Sequence, residues 1–416
     1  MRSRLLRSPH PALHRLPLAL TLAAALCSCE TESPTGNPTR ETLPNGAVLV
    51  RYPALPAIDS VGPLVTEAHV DLWIGTFDGD DPNYIFGGIR GVQAASDGTI
   101  YVLDFQAAEV RVFSPDGEYL RTIVRYGEGP GEILEADGIL LSGDTLIWIN
   151  DRSQMAIIGV DPGGEELRRF DKPVRSYIGI WDGTFDNRGR YWREILHMDD
   201  GDEYRPPSGL ETFEFRHYYK SYDLSNGMLD SVYTGDVTTR RYIFETEGGG
   251  GSQGIPFTPS NLTVVHPSGG FWQANTASYR LTRADESLDT LLVVEAAVRH
   301  YPVTTDDRAA YVEDLVERRP DLRRVAEAVE TLIPDHKPLL GTVFVDDKGR
   351  LWVERTTPGD TPPFYDLFTE DGEYQGSVRL AFMPVPDGRI WVQHGNIYTW
   401  VVDEFDVQYV VRASVS

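Results

Sequence analysis

Six polar side chains recur at one place in a repeated pattern, and their types are those that bind ligands. Each follows an aromatic residue by two or three positions: Asp104, Asp151, Glu194, Asn275, Glu354 and His394. Carboxylate, amide and imidazole groups that converge from neighbouring segments can hold a polar ligand, and oxygen ligands are also what calcium prefers. The sequence therefore makes these six residues candidates for a ligand site, with calcium as the metal that would suit them.

Other catalytic centres find no support in the sequence. Residues 127–132 (Gly-Glu-Gly-Pro-Gly-Glu) lack the Lys-Ser/Thr of a phosphate-binding loop, no helix follows them, and their glutamates would repel phosphate. The histidines are scattered without metal-ligand spacing, and no Gly-x-Ser-x-Gly elbow is present. We therefore expect no cofactor and neither zinc nor serine-nucleophile chemistry.

The elements that must position the candidate residues are short strands in a sixfold repeat. A glycine-marked turn precedes an aromatic strand at Gly98 with Tyr101, Gly143 with Trp148, Gly189 with Trp192, Gly269 with Trp272, Gly349 with Trp352 and Gly388 with Trp391. A unit this small cannot bury its apolar face alone, so the pattern indicates a repeat architecture. We expect the aromatic rings to pack between neighbouring units, where large rings fill the wedge between twisted sheets.

Each repeat has the strand and turn signals of a propeller blade. A further strand follows each aromatic one, often with a hairpin turn such as Asp116-Gly117 or Asp371-Gly372, and another strand precedes each glycine. The predicted fold is all-β, a six-bladed β-propeller of four-stranded antiparallel blades. Residues 69–75 have strand composition and are expected to pair with the last blade, which closes the ring and removes its open edge.

The chain resembles the six-bladed, NHL-like β-propellers that occur as bacterial lipoproteins. The resemblance rests on residues 97–104, 110–117 and 127–132 and extends over roughly residues 66–412. It implies the fold but not an activity, because this architecture carries many unrelated functions. In such a fold the candidate register lies on the second strand of each blade, whereas the first strand normally lines the channel. We therefore favour the alternative that Asp104 and Asp151 bind turn backbone within their own blades.

Three stretches interrupt the repeat. Residues 196–218 extend a hairpin of blade three and include the acidic residues Asp199, Asp200, Asp202 and Glu203. Residues 236–259 contain a glycine run at 248–251, which predicts a mobile loop. Residues 304–336, between blades four and five, have the apolar spacing of two short helices, with Thr305 as a candidate cap. We expect these helices to pack on the propeller.

The N-terminus has the composition of an export signal. Four arginines precede an apolar run at residues 16–26, which is too short to span a bilayer. Residues 26–29 (Leu-Cys-Ser-Cys) look like a bacterial lipobox, which makes Cys29 the lipidated first residue of the mature chain. We therefore predict a signal peptide at 1–28, a lipidated N-terminus and flexible tether at 29–63, and the propeller at 64–416. Glu30, in place of the aspartate that retains lipoproteins at the inner membrane, favours the outer membrane.

Charge narrows the classes of partner. The chain has a net charge of −25, and loss of the four arginines of the signal takes it to −29. So acidic a surface argues against nucleic acid and against docking on anionic lipid, leaving the acyl chains as the membrane attachment. We expect a monomeric, non-catalytic binding or scaffold module for a protein, peptide or glycan. The alternative is a calcium-dependent hydrolase resembling lactonases and gluconolactonases, with carboxylates and amides meeting at one mouth of the central channel.

Overall fold

The computed structural model describes residues 36–171, 183–197, 207–223, 225, 227–246, 249–359, 361–385 and 388–415. The signal segment, Cys29 and the acidic residues at 199–203 lie outside this part of the chain. Residues 34–416 form one compact unit, and the described strands make six successive sheets, the blades of a β-propeller. The predicted fold class is confirmed.

The strands are numbered in chain order. The N-terminal strands are β1 (Thr39–Thr42), β2 (Val48–Tyr52), β3 (Val65–Ala68) and β4 (Val70–Ile74). Blade one contains β5 (Ile89–Ala94), β6 (Ile100–Asp104), β7 (Glu109–Phe113), β8 (Tyr119–Tyr126) and β9 (Glu132–Ile133). Blade two contains β10 (Ala136–Ser142), β11 (Leu146–Asp151), β12 (Ala156–Val160) and β13 (Glu166–Asp171). Blade three contains β14 (Thr184–Phe185), β15 (Tyr191–His197), β16 (Gly209–Asp223), β17 (Gly227–Thr246) and β18 (Gly249–Gly254).

The second half of the chain continues the series. Blade four contains β19 (Asn261–Val265), β20 (Phe271–Asn275), β21 (Arg280–Ala284) and β22 (Thr290–Ala296), and the helices α1 (Thr305–Arg318) and α2 (Arg323–Glu330) follow it. Blade five contains β23 (Leu340–Val345), β24 (Leu351–Arg355), β25 (Phe364–Phe368) and β26 (Tyr374–Leu380). Blade six contains β27 (Trp391–Gln393), β28 (Asn396–Val402) and β29 (Gln408–Ser414). Single 3-10 turns occur at Pro82–Tyr84, Gly143–Thr145 and Pro320–Leu322.

The aromatic side chains of the second strands pack between blades, as expected. Tyr101 is buried in a cluster with Ile139 and Ile149 of blade two, and Trp352 is buried with Val392 and Ile397 of blade six. Neighbouring blades therefore share one apolar layer at each such joint, which is why a single blade would not be stable alone.

In blades three and five, an aspartate in the preceding turn fixes the tryptophan. Asp186 Oδ2 accepts hydrogen bonds from Trp192 Nε1 (2.9 Å) and Arg190 Nε (2.7 Å), and Asp346 does the same for Trp352 and Arg350 at identical distances. Burial raises the pKa of Asp186, but its hydrogen bonds to Trp192 and Arg190 outweigh burial and lower it overall. The motif Asp-x-x-Gly-Arg-x-Trp thus couples each turn to the joint with the next blade.

The last blade differs from its predicted register. Trp391 lies on the first strand, β27, and the residue equivalent to Tyr101 is Tyr398 on β28. Ile397 faces blade five and Tyr398 faces blade one, just as Ile100 faces blade six and Tyr101 faces blade two. The repeat of Gly98-Thr99-Ile100-Tyr101 is therefore residues 395–398 (Gly-Asn-Ile-Tyr), and the assignment of Gly388 and Trp391 to a second strand is wrong.

The N-terminal segment, residues 39–74, forms a belt along the outer edges of three blades. β1 and β2 form a hairpin whose second strand pairs in parallel with β22 of blade four. β3 pairs in parallel with β26 of blade five, and β4 pairs antiparallel with β29 of blade six. β4 thus supplies the fourth strand of blade six and closes the ring, flanking β29 without displacing it.

The belt corrects the predicted boundary between tether and propeller. Val50 is fully buried and Tyr52 and Leu55 are almost so, all three in the apolar joint between blades four and five. Ordered structure therefore starts near residue 39, so a flexible tether that reaches residue 63 and a propeller that begins at 64 are wrong. The sequence hid this because residues 39–52 have no glycine–aromatic repeat.

The insertions form an arm and a helical cover. β16 and β17 continue their pairing far beyond β15, and β18 adds a third strand to the arm. The glycine run is thus largely an edge strand, and the prediction of a mobile loop fails from residue 249 onward. α1 and α2 pack on the arm through a cluster that contains Phe244, Leu315 and Ala326. The cap of α1 is Thr304, in a capping box with Asp307, one residue before the predicted Thr305.

A search for membrane-spanning helices was limited to the described residues. None of the helices there is long and apolar enough to cross a bilayer.

Candidate functional site: a polar cleft between blades three and four

The two ends of the blades carry different turns. Turns between first and second strands lie at one end, which we call the first-turn end; turns between second and third strands lie at the other, the second-turn end. Asp104, Asp151 and Asn275 close second strands and so lie at the second-turn end. His394 lies in the turn between β27 and β28, at the first-turn end, where its backbone N–H donates to Asp347 Oδ2 (2.7 Å). The fold therefore does not bring His394 together with the other candidates.

Asp104 and Asp151 are engaged inside their own blades. Both are fully buried. Asp104 Oδ2 accepts from Gly87 N–H (3.0 Å) and its Oδ1 from Gln106 N–H (3.1 Å), which ties the entry of the first strand to the turn after the second. Asp151 repeats this arrangement with Leu134 N–H (2.7 Å) and Gln154 N–H (2.9 Å). Both aspartates thus bind backbone N–H groups of their own blades, which is the alternative to ligand binding that the sequence favoured.

Glu354 lies in a separate environment. Burial raises the pKa of its carboxyl group, and a backbone hydrogen bond from Thr342 only partly offsets this. Its carboxyl carbon would lie 2.8 Å from a Cβ at Gly341, so the glycine makes the space that Glu354 occupies. Glu354, on β24, therefore packs over Gly341 of the neighbouring strand β23.

The remaining two candidates, Glu194 and Asn275, lie at or beside a cleft between blades three and four. The cleft has a volume of about 320 Å³. Neutral polar side chains supply much of its lining: Thr234, Asn261, Thr263, Gln273, Asn275, Ser278 and Thr282. Its charged or titratable lining residues are His217, Asp236 and Arg280. Asn275 Nδ2 donates to Asn261 Oδ1 (2.7 Å), which joins two amides at the wall.

The cleft exists because polar residues replace the apolar ones that fill other joints. In blade two, three residues in cross-strand register, Ile139, Ile149 and Ile158, are buried against blade one. The same three positions of blade four are Thr263, Gln273 and Thr282. The first-turn end of this joint stays apolar, with Trp192 packed against Val265 and Phe271. The rest of the joint is not sealed by hydrophobic packing, because its polar groups need hydrogen-bond partners.

A β-bulge in blade three shapes the opposite wall. His217 pairs with Gly235 and Tyr218 with Tyr233, which leaves Thr234 as an extra residue of β17. Such a bulge bends the strand and redirects its side chains. Here it places the Thr234 hydroxyl 2.7 Å from His217 Nδ1.

His217 links Thr234 to Glu194. His217 is buried, and its Nε2 lies 2.6 Å from Glu194 Oε1. The Thr234 hydroxyl has one proton and two acceptors within reach, His217 Nδ1 and the His217 carbonyl oxygen (3.2 Å). Either bond fixes the position of the Thr234 oxygen at the wall of the cleft.

The charged residues of the cleft are engaged by neighbours. Asp236 Oδ1 accepts a hydrogen bond from Tyr233 Oη (2.6 Å), and Arg280 forms an ion pair with Glu295. The amides also have partners, since Asn261 Nδ2 donates to Asp236 O (3.3 Å) and Gln273 Nε2 donates to Thr234 O (3.2 Å). Each amide group keeps a second N–H and further lone pairs, so the arrangement suits a neutral, hydrogen-bonding molecule. Across the described ranges, no group of three or more His, Cys, Asp or Glu residues is arranged to hold a metal ion.

Sequence reasoning missed His217, Thr234 and Gln273. Gln273 had a signal, since it occupies a strand position that is Val102 in blade one and Ile149 in blade two. Thr234 had none, because a one-residue bulge in a long hairpin leaves no mark in the sequence.

Comparison with known proteins agrees with the fold. Residues 83–171, which contain blades one and two, match the family model DUF5128, described as a 6-bladed beta-propeller. The class of protein is thus a six-bladed β-propeller, as the resemblance to NHL-like propellers implied. No curated protein sequence matches significantly.

Similar solved structures are distant in sequence. A member of the duf4221 family from Bacteroides vulgatus shares 11% identity over 83% of this chain and 97% of its own, with a TM-score of 0.47. A putative exported protein from Bacteroides fragilis shares 10% identity over 85% and 99%, with a TM-score of 0.44. Virginiamycin B lyase from Staphylococcus aureus shares 13% identity over 79% and 95%, with a TM-score of 0.37. These likenesses concern the fold alone.

Proposed function

We propose that this propeller is a non-catalytic binding module of the bacterial cell envelope whose cleft between blades three and four holds one sugar unit of a glycan. The observation that carries the proposal is that neutral hydrogen-bonding side chains replace apolar ones in one part of this joint, at Thr263, Gln273 and Thr282. A glycan presents closely spaced hydroxyl groups, each of which donates and accepts. Paired amides at Asn261 and Asn275 and hydroxyls at Thr263 and Thr282 match that chemistry.

Size and charge support the same ligand class. A volume of about 320 Å³ is at the lower limit of ligand pockets, which run from roughly 300 to 1,000 Å³. The carboxylate of Asp236 would repel an anionic ligand. A cationic ligand would have to compete with Arg280 for the carboxylate of Glu295. The acceptor oxygen of Thr234, fixed by His217, adds directionality.

The first test removes the amide pair. The double variant Asn261→Ala/Asn275→Ala is expected to bind its glycan at least about fivefold more weakly, because the two lost hydrogen bonds contribute about 0.5–1.5 kcal/mol each. A glycan array probed with the chain that begins at Glu30 identifies the ligand, and isothermal titration calorimetry measures the loss of affinity. Both residues are exposed, so thermal stability should stay unchanged.

Asn187→Ala is the matched control. Asn187 is an exposed asparagine at the first-turn end, away from the cleft. Glycan binding that is equally strong in the double variant, or equally weak in the control, would refute the cleft as the site. An array with no bound glycan would refute the ligand class.

We propose further that the module is exported and held at the outer membrane through lipidated Cys29. The lipobox-like residues 26–29 and the residue Glu30 support this. Thr39, where the belt begins, comes ten positions after Cys29, and ten extended residue steps reach at most about 36 Å. The short link would hold blade four close to the bilayer.

Metabolic labelling tests the anchor. The full chain expressed in a bacterium that processes lipoproteins is expected to incorporate radiolabelled palmitate and to sediment with outer-membrane vesicles. Cys29→Ser should abolish both, whereas Cys27→Ser should leave both intact. Label that persists in Cys29→Ser, or disappears in Cys27→Ser, would rule out Cys29 as the lipidated residue.

A further inference from the structure

Four aromatic residues form an exposed patch on blade six, which we call the blade-six patch: Trp73, Phe77, Phe405 and Tyr409. Trp73 contacts Tyr409 edge-on at a centroid distance of 5.9 Å, and Phe77 lies 6.2 Å from Phe405. Trp73, Phe77 and Phe405 are 55%, 65% and 69% exposed. Rings this large contribute to folding only when they are buried, so three of them grouped in solvent indicate a surface that is covered by something else.

The patch is formed by two segments that are far apart in the sequence. Trp73 lies on β4 and Phe77 follows it, whereas Phe405 lies in the turn before β29 and Tyr409 lies on that strand. Both segments are acidic and contain no lysine or arginine: residues 73–84 include three aspartates, and residues 401–411 include Asp403, Glu404 and Asp406. Within these two segments the charges beside the rings are therefore all negative.

Some of these carboxylates already serve the fold. Asp403 accepts from Phe405 N–H, Val407 N–H and Tyr409 Oη. Asp78, Asp80, Glu404 and Asp406 are exposed. The charge of Asp78 helps to raise the pKa of Tyr409, after burial and the hydrogen bond to Asp403, so that carboxylate lies near the rings.

We propose that the blade-six patch docks a basic segment of a partner protein that also carries large apolar side chains. Arginine and lysine side chains favour the faces of aromatic rings and pair with carboxylates at the rim. A membrane surface fits poorly, because anionic headgroups would meet the acidic frame. A second copy of this chain fits poorly too, because a twofold contact would place like charges against each other.

The position of the patch predicts that binding will affect the stability of the fold. Because the partner would touch both β4 and the β29 turn, it would bind the closed ring and not the open one. Binding is therefore expected to stabilise the folded chain by mass action, so its melting temperature rises as the ligand concentration exceeds the dissociation constant.

The test uses the chain beginning at Glu30 and three synthetic twelve-residue peptides. One alternates arginine with tryptophan, the second replaces arginine by glutamate, and the third replaces tryptophan by serine. The Arg/Trp peptide is expected to bind at least tenfold more tightly than either of the others, measured by fluorescence anisotropy, and to raise the melting temperature. Equal binding of the Arg/Ser peptide would show general attraction of cations and overturn the proposal.

Variants separate the patch from the net charge. Phe77→Ser/Phe405→Ser leaves the charge unaltered and is expected to lower affinity for the Arg/Trp peptide at least tenfold. The matched control is Tyr126→Ser on blade one, where Tyr126 is 71% exposed outside the patch, and it should change nothing. Undiminished binding by the double variant overturns the proposal. Two further outcomes would also overturn it: patch-dependent binding to phosphatidylglycerol vesicles, or a patch-dependent dimer in sedimentation equilibrium.

Discussion

A chain that begins at Thr76 is expected to lose the closed ring and to precipitate or remain expanded, whereas a chain that begins at Pro34 folds. The shorter chain lacks the whole belt, including β4, whose Ile74 is buried in the joint between blades six and one. Its absence bares the edge of β29 and opens that joint, and an unpaired edge strand is a template for aggregation. Sedimentation velocity and near-ultraviolet circular dichroism distinguish the two outcomes.

Attaching the β4 sequence to the C-terminus of the shortened chain tests whether the loss of this strand is what opens the ring. β4 runs antiparallel to β29, and Val70 pairs with Ala413 near the C-terminus. Residues 69–75 appended after Ser416 through a short Asn-Gly turn can therefore form a hairpin in the native register. The chain beginning at Thr76 should then regain a closed, monomeric ring, although a less stable one than the full chain, because the buried Val50 and Tyr52 of β2 are still missing. Failure of this rearranged chain, or full folding of the chain without β4, would contradict the role of β4 in closing the ring.

Asp366→Ala is expected to destabilise the protein by about 3–5 kcal/mol, the usual cost of breaking a buried ion pair from one side. Asp366 is fully buried between blades four and five, with Arg355 Nε 3.0 Å away. It also accepts from Tyr279 Oη (2.7 Å) and Ser377 Oγ (2.5 Å). Its loss leaves the buried guanidinium of Arg355 without its countercharge. Urea unfolding followed by tryptophan fluorescence measures the change.

Two variants control this prediction. Asp371→Ala removes an exposed aspartate from the same blade and should change stability by less than about 0.5 kcal/mol. Asp366→Ala/Arg355→Met removes both charges and should recover part of the loss, because the penalty comes mainly from the unpaired guanidinium. If the double variant is as unstable as the sum of both single ones, the ion-pair explanation fails.

Repetition made most of the fold predictable. The glycine, the aromatic residue and the hairpin turn recur with the same meaning in blades one, two and five, so strand order and packing direction follow from local sequence. The sixth blade shows where this fails. Gly388-Arg389-Ile390-Trp391 and the segment at 395–398 both fit the pattern, and only the pairing of β28 with both β27 and β29 decides between them.

Features that depend on distant contacts were not predictable. β1 and β2 carry no repeat signal, and their place is set by a parallel pairing with Leu292 and its neighbours. The glycines of β18 favour a loop locally, yet pairing with β17 makes them a strand. The cleft depends on a joint between two blades, so a residue such as Asn275 could be singled out by type, but its partner Asn261 could not.

The belt also sets an order of events for the newly made chain. Its strands leave the ribosome first, but their partners around Leu292, Ser377 and Val410 are synthesised much later. Until then β2, β3 and β4 lack their partner strands in blades four to six, and long-range pairing of this kind is slow. The last residues made therefore decide when the belt can dock. Such a delay would suit the export proposed above, because a chain that crosses a membrane must not become compact first.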